Sequence, residues 1–165
     1  MNTRAIAASC VIAGMTAAVS AESPIDIVPI IEIPTIDFHA VEMEDADREA
    51  AGLAPRYAIP HSVTLSPGGS GLWEVLPNGD MQWRLRIESP LATSINLGFE
   101  RWTLPHSADM TIGTSDGHVA LRTFTSDDNR HHGELWTPPV PGDDILISII
   151  VHPKERSAVE ANVAL

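Results

Sequence analysis

The sequence has 165 residues, of which 44% are hydrophobic and 19% are charged. This balance is typical of a chain that folds, and the length corresponds to one domain. Aspartate and glutamate outnumber lysine and arginine by 22 to 10, giving a formal net charge of −12. Because binding to phosphate backbones needs clustered cations, this charge argues against nucleic acid as a partner.

Residues 1–21 have the features of a signal peptide. Arg4 precedes a nearly uncharged, alanine-rich stretch, and Val19-Ser20-Ala21 places small residues where signal peptidase recognises them. We predict cleavage after Ala21, secretion to an extracellular or periplasmic location, and no membrane attachment afterwards. The stretch is too short and too weakly apolar to favour a membrane-spanning helix. Cys10, the single cysteine, lies within it, so the mature chain has no thiol.

Residues 22–55 are predicted to form an extended arm followed by a short acidic helix. Prolines recur along the arm at Pro24, Pro29 and Pro34. This spacing excludes a helix, and the isoleucines between the prolines predict an arm that docks on a surface of this chain or of another. A solvated linker is the alternative. Residues 41–51 are rich in Glu and Asp and precede Gly52, which predicts a helix of two or three turns.

Residues 56–165 show the two-residue hydrophobic period of β-strands. Asn78-Gly79 lies between two alternating runs, 72–76 and 81–87, and this predicts a β-hairpin with a type I′ turn. One face of the second run is apolar and is predicted to be buried. The opposite face carries charged side chains and is predicted to be wet or paired.

Further short strands are predicted along the rest of this domain at residues 95–99, 109–113, 118–124, 134–136, 145–151 and 159–165. Short strands at near-regular spacing with little helix predict an all-β fold, a two-sheet antiparallel β-sandwich of jelly-roll-like form. The predicted core comprises Trp83, Leu85, Ile87, Ile95, Leu97, Phe99, Leu135, Trp136, Ile147 and Ile149.

The sequence does not predict a catalytic site. It contains seven histidines and several serines. It lacks the local sequences that surround the nucleophile of a trypsin-like protease or an α/β-hydrolase. A hydrolase needs a nucleophile, a base and an orienting group held together, and these residues show no such pattern. We therefore predict no catalytic residue and no cofactor.

The turn at Asp127-Asp128-Asn129, followed by His131-His132, is the strongest candidate for a metal site. Adjacent residues on a strand point to opposite faces, so His131 and His132 would seldom bind the same ion unless they lie in a loop. The usual spacings of metal ligands along a sequence are also missing. Calcium at this turn or at Asp143-Asp144 would lack the loop pattern of known calcium sites. Turn formation explains both clusters better. We predict that Asp128 and Asn129 close the first turn, that one of the two histidines faces the core, and that no residue ligates a metal.

Four tryptophans offer a candidate surface for stacking against sugars: Trp73, Trp83, Trp102 and Trp136. Such a surface needs two or more rings exposed in one plane. Because most of these residues lie in the apolar phase of their strands, we predict that they pack in the core instead, with Trp136 anchoring its strand. A secreted carbohydrate-binding β-sandwich remains the alternative function, and a metal-binding β-sandwich is a lesser one.

Several blocks of the sequence match one known family in the same order. They are Glu44-Asp45, Arg48-Glu49, the run from Gly52 to Pro60, Gly71-Leu72-Trp73-Glu74, the run from Gly79 to Pro90, Ser94-Ile95-Asn96-Leu97-Gly98-Phe99, Leu104-Pro105, the run from Phe124 to Pro138, and Pro141-Gly142-Asp143-Asp144. On these blocks the chain resembles the N-terminal, propeptide-type domain that precedes the catalytic domain in secreted bacterial trypsin-like serine proteases of the lysyl endopeptidase type.

The resemblance implies a β-sandwich, in agreement with the hydrophobic period. It also implies a non-catalytic domain that assists the folding, latency or targeting of a protease domain, which is the expected partner in cis or in trans. No catalytic residue carries over, because the family's catalytic triad belongs to the following domain. In the family the strand that matches residues 159–165 would continue towards the protease, so the chain resembles a front fragment whose domain is truncated at its C-terminal end.

Overall fold

The computed structural model describes residues 23–165, and the predicted signal peptide lies outside this range. Within it the protein is β-rich, with two short α-helices, α1 (Phe38–Ala50) and α2 (Arg156–Asn162). Neither helix has the length and apolar character needed to cross a membrane. The strands in chain order are β1 (Ile30–Glu32), β2 (Leu72–Val75), β3 (Met81–Glu88), β4 (Ser94–Ile95), β5 (Gly98–Phe99), β6 (Arg101–Trp102), β7 (Asp109–Thr114), β8 (Leu135–Trp136), β9 (Val140–Pro141), β10 (Asp144–Val151) and β11 (Val163–Ala164).

Five of these strands form one mixed sheet. Strand β10 pairs antiparallel with β3 on one side and with β7 on the other. The far edge of β3 is shared by two strands, with β2 antiparallel along its first half and β1 parallel along its second half. The remaining strands form three two-stranded ribbons, β4 with β9, β5 with β8, and β6 with β11.

The predicted hairpin is confirmed, but its predicted turn type is wrong. Strands β2 and β3 are joined through Asn78-Gly79, and the amide of Gly79 donates to the carbonyl of Leu76 at 2.9 Å. Among the described residues Gly79 has a φ of +89°, whereas Asn78 is not in the positive-φ region that a type I′ turn requires at both central positions. Pro77 occupies the position at which a type I turn favours proline, and Gly79 then supplies the left-handed residue.

The prediction that the arm docks on a surface is confirmed, and the surface belongs to this chain. Val28 and Ile33 are buried, and β1 pairs with the second half of β3. The predicted helix is confirmed as α1. It begins after Asp37, whose side chain accepts a hydrogen bond from an amide of the first turn, and it ends before Gly52, whose φ is +70°.

Two predicted strands are wrong. Residues 118–124 form only isolated bridges, at Ala120 and Phe124, because this segment loops across the edge of β7. Most of residues 159–165 belong to α2, and only β11 remains extended. Helix α2 contains two alanines, one glutamate and one arginine, residues that favour helix, and it buries Val159. A buried valine fits the core from a helix as well as from a strand, so the hydrophobic pattern did not distinguish the two.

One hydrophobic core joins the mixed sheet and the ribbons. Of the ten predicted core residues, seven are buried: Trp83, Leu85, Ile87, Leu97, Phe99, Ile147 and Ile149. Ile95 and Leu135 are partly buried against the same cluster. The ribbons contribute an aromatic group in which the rings of Phe99 and Trp102 lie 5.2 Å apart. The tenth residue, Trp136, is not in the core.

Candidate functional site

Trp136 is the most exposed tryptophan of the protein, with 71% of its surface accessible, so its predicted core position is wrong. It is paired with Gly98 across the ribbon of β5 and β8, and Leu135, its neighbour in β8, packs against the core. Successive residues of a strand face opposite sides, so only one of Leu135 and Trp136 can point inward. The indole ring lies directly over Gly98, where an added Cβ would be 2.8 Å from two of its carbons.

The turn before Trp136 is closed by Asp128 as predicted, but the prediction that the side chain of Asn129 also closes it is wrong, because that side chain binds a distant segment instead. Asp128 accepts a hydrogen bond from the amide of Thr125 at 3.0 Å. The side chain of Asn129 binds both the amide and the carbonyl of Leu104 at 2.9 Å. Arg122 pairs with both oxygens of Asp128, at 2.6 and 2.9 Å, and this pairing lowers the pKa of Asp128 below its ordinary value. These contacts attach the turn to the body and hold the segment that leads to β8.

The two histidines of this turn are both exposed, so the prediction that one faces the core is wrong. Strand β8 begins only at Leu135, so His131 and His132 precede it in a turn and strand alternation does not apply. The Nδ1 atom of His132 accepts a hydrogen bond from the amide of Glu134 at 3.2 Å, and the two imidazole rings are 5.4 Å apart.

Of the other candidate metal ligands, Asp144 is engaged in an ion pair, and the rest are exposed. Asp144 pairs with Arg86 at 2.6 Å and accepts a hydrogen bond from Ser115. Asp127 and Asp143 lie on the surface. Across residues 23–165, no three His, Cys, Asp or Glu side chains converge closely enough to hold a metal ion.

The tryptophans do not form the platform that sugar stacking requires. Trp83 and Trp102 are buried, as predicted. Trp73 is half-buried, with the guanidinium of Arg156 4.7 Å from the centre of its ring. Only Trp136 is exposed within the described part of the chain, so a second coplanar ring is missing there.

Hydroxyl and imidazole groups meet on the surface near the start of α2. Ser107 donates to Glu155 at 2.5 Å, and the Nδ1 atom of His106 is 3.0 Å from the hydroxyl of Ser126. The Nδ1 atom of His152 accepts from the amide of Lys154, so that ring caps a helical turn. This cluster was not predicted, because its members come together only through contacts between distant segments of the chain.

Arg84 lies on the face of β3 that the sequence predicted to be either solvent-exposed or paired. It is only 3% exposed, and it is paired. Its guanidinium forms an ion pair with Glu74 of β2 and donates to the carbonyl of Ser23 at 2.8 Å. Arg86, two residues further along β3, pairs with Glu88 at 2.9 Å and with Asp144. The polar face of β3 is therefore a network of ion pairs beside the arm.

Comparison with known proteins found no family model that matches the chain and no solved structure that matches it.

Proposed function

We propose that the protein is the non-catalytic N-terminal domain of a secreted serine endopeptidase and assists the folding, latency or targeting of its protease. The observation that carries this proposal is Trp136, a large aromatic side chain presented to solvent on a short, well-anchored ribbon. It lies within the run from Phe124 to Pro138, where the resemblance to the protease family is strongest. The proposal includes export through the predicted signal peptide.

An exposed tryptophan on a rigid support is suited to anchor a protein partner. Tryptophan is enriched among interface residues whose removal costs about 2 kcal/mol or more, because its ring buries a large area at a low cost in side-chain entropy. Gly98 lets the ring lie flat, and the turn fixed by Asp128 and Asn129 holds the strand that carries it. The arm, by contrast, is already engaged with β3.

For the fold we propose a β-sandwich of jelly-roll-like form. The mixed sheet would be one layer, and the three ribbons would together make up the second. In support, residues of both sets share one core, with Trp83 and Ile147 from the sheet and Phe99 and Trp102 from the ribbons. The arm adds a parallel strand to the first layer, which departs from the purely antiparallel arrangement expected from the sequence.

The test uses the serine endopeptidase that is encoded in the same reading frame or beside it. We expect the mature protein to bind that catalytic domain and Trp136→Ala to weaken binding by about 30-fold, which corresponds to about 2 kcal/mol. Val75→Ala is the matched control, because Val75 is an exposed apolar residue on the mixed sheet. Affinity is measured by biolayer interferometry, and the melting temperature shows whether each variant is folded.

Two results would contradict the proposal. One is equal binding of the protease by the wild-type protein and Trp136→Ala. The other is the absence of any serine endopeptidase gene in that position, combined with binding of the purified protein to polysaccharide, which would favour the carbohydrate-binding alternative.

A further inference from the structure

Residues 55–64, which lie between α1 and the buried Leu65, have no regular secondary structure and no buried side chain. Within the described part of the chain, none of their backbone N–H or C=O groups forms a hydrogen bond. The last backbone hydrogen bond before this segment joins Leu53 to Arg48, and the first one after it joins Leu65 to Leu165. The segment therefore crosses the surface with its backbone unpaired.

An unpaired surface segment is the form of substrate that an endopeptidase can bind. The enzyme holds its substrate as an extended strand through main-chain hydrogen bonds, so the backbone groups of the substrate must be available. Exposed connections whose backbone is not hydrogen-bonded are accordingly preferred sites of cleavage in folded proteins. Residues 55–64 meet this requirement while the sheet and the ribbons remain intact, because the segment belongs to neither.

Arg56 is the one basic residue of this segment, and it indicates the class of enzyme. Trypsin-like endopeptidases bind a basic side chain in a pocket with an aspartate at its base and cleave the peptide bond that follows. The residue that follows Arg56 is Tyr57, which is 86% exposed. The bond between them is thus both accessible and preceded by the side chain that such an enzyme recognises.

The other basic residues of the described chain lie in paired segments. Most of them belong to helices, strands or a helical turn: Arg48, Arg84, Arg86, Arg101, Lys154 and Arg156. Arg130 lies in a turn that is closed by the amide of Gly133, which donates to its carbonyl. Arg122 lies between Leu121 and Phe124, whose amides both donate to carbonyls of β7. Cleavage after Arg56 should therefore precede cleavage at any of these positions.

Two ion pairs hold the side chain of Arg56 against α1. Its guanidinium donates to Glu44 at 2.7 Å and to Asp45 at 2.9 Å. Both carboxylates face solvent, and exposed ion pairs contribute little to stability, so the guanidinium can leave α1 and enter a specificity pocket. These pairs should slow cleavage without preventing it.

We propose that the Arg56–Tyr57 bond is a processing site at which an arginine-specific, trypsin-like endopeptidase cleaves the folded protein. Hydrolysis adds the hydroxyl group of water to the carbonyl carbon of Arg56 and a proton to the amine of Tyr57. The site is independent of the partner proposed for Trp136.

Cleavage at this site leaves the arm attached to the body by non-covalent contacts alone. Val28 and Ile33 are buried and β1 pairs with β3, so the N-terminal fragment keeps its docking. The body is anchored from Leu65, whose amide and carbonyl both bond to Leu165, so the cut does not open it. The fragment becomes a peptide ligand of the edge of β3, and its release exposes that edge and depends on concentration.

The experiment treats the secreted protein with a small amount of trypsin under native conditions and follows cleavage by mass spectrometry. We expect a single early cut, with Tyr57 as the new first residue of the larger fragment. The two fragments should elute together in size-exclusion chromatography and separate when urea is added.

Three variants test the assignment. Arg56→Gln should abolish the early cut, whereas the matched control Arg130→Gln, which removes an exposed arginine from a turn, should preserve it. The double variant Glu44→Gln/Asp45→Asn should speed the early cut about threefold, because it releases the side chain of Arg56 from α1. The melting temperature of each variant shows whether it is folded.

A first cut at another basic residue, or an early cut that persists in Arg56→Gln, would overturn the processing site. Cleavage after Arg56 that occurs only together with digestion of the whole chain would overturn it as well, since the bond would then be accessible only after unfolding. Separation of the two fragments under native conditions would overturn the retention of the arm.

Discussion

At the scale of single residues, two tryptophans lie in opposite environments, one buried and one exposed. Trp83 is fully buried, and its indole nitrogen donates to the carbonyl of Ser70 at 2.7 Å. Trp136 lies outside, over Gly98. The first contributes to stability by removing apolar surface from water, whereas the second leaves most of its surface available to a partner.

Replacing these two residues should therefore have unequal effects on stability. We expect Trp83→Ala to lower the free energy of unfolding by about 3–5 kcal/mol, the usual range for a buried aromatic side chain. Trp136→Ala should lower it by about 1 kcal/mol or less, because the ring is mostly exposed. Urea unfolding followed by circular dichroism measures both. A loss at Trp136 as large as that at Trp83 would show that the indole packs in the core.

At the scale of elements, the short helical turn Ser126–Asp128 depends on one carboxylate. Thr125 and Asp128 cap the turn reciprocally, and Arg122 pairs with Asp128 from outside. Because the pKa of Asp128 is lower in the folded protein than in the unfolded chain, its charge stabilises the fold at pH values above its ordinary pKa of about 3.9. That contribution is lost as the pH falls through the lower, folded-state pKa.

This linkage predicts the behaviour of Asp128→Asn. The variant should be less stable than the wild type at neutral pH, and the difference should shrink as the solution is acidified below the ordinary aspartate range. Asp127→Asn, at the exposed neighbouring position, keeps the pair with Arg122 and should follow the wild-type profile. Thermal unfolding measured from neutral to strongly acidic pH decides the point. A difference in stability between Asp128→Asn and the wild type that stays constant across this pH range would mean that the charge of Asp128 contributes nothing to stability.

At the scale of elements, the sequence predicts some of the strands correctly and others wrongly. The runs that form β3 and β10 are predictable from the sequence, the first because every second side chain is apolar and the second because it is an almost continuous apolar run rich in isoleucine. The side chains of residues 118–124 alternate too, but only two isolated bridges form there. Alternation does not show whether a segment lies in register with a neighbouring strand. Hydrophobicity alone predicts Trp136 in the core, but only one of the two residues of β8 can face inward, and that residue is Leu135.

The pair of Glu74 and Arg84 illustrates a second limit. Register places Glu74 opposite Gln82, so Arg84 is its diagonal neighbour, two positions along β3. The hairpin prediction brought these strands together, but the turn type that it assigned was wrong, and turn type fixes register. The contact with Ser23 needs the parallel docking of the arm, for which no local pattern exists.

At the scale of the whole molecule, the arm is a separately attached unit. Between Ile33 and Leu65, both of which are buried, no side chain is buried, and α1 lies within this stretch. The arm is therefore held by its own contacts with β3 and not by the segment that connects it to the rest of the protein. Such units open locally at a lower free-energy cost than global unfolding.

We accordingly expect Ile33→Ala to release the arm without unfolding the body. Limited proteolysis analysed by mass spectrometry should show cleavage between residues 23 and 33 about tenfold faster than in the wild type, with a product that contains α1 and the remainder of the chain. Ile147→Ala, in the central strand β10, should instead accelerate cleavage throughout. Uniform acceleration in both variants would show that the arm and the body unfold as one unit.

The parallel pairing of β1 also sets an order of events during synthesis. A ribosome synthesises the arm before it synthesises β3, so Ile30 cannot pair with its partner Arg86 until that residue has been added to the chain. The isoleucines of the arm therefore remain exposed while α1, the segment that follows it and the hairpin of β2 and β3 are synthesised. Three prolines in and beside the arm, and the acidic residues around them, reduce pairing with other nascent chains during that interval.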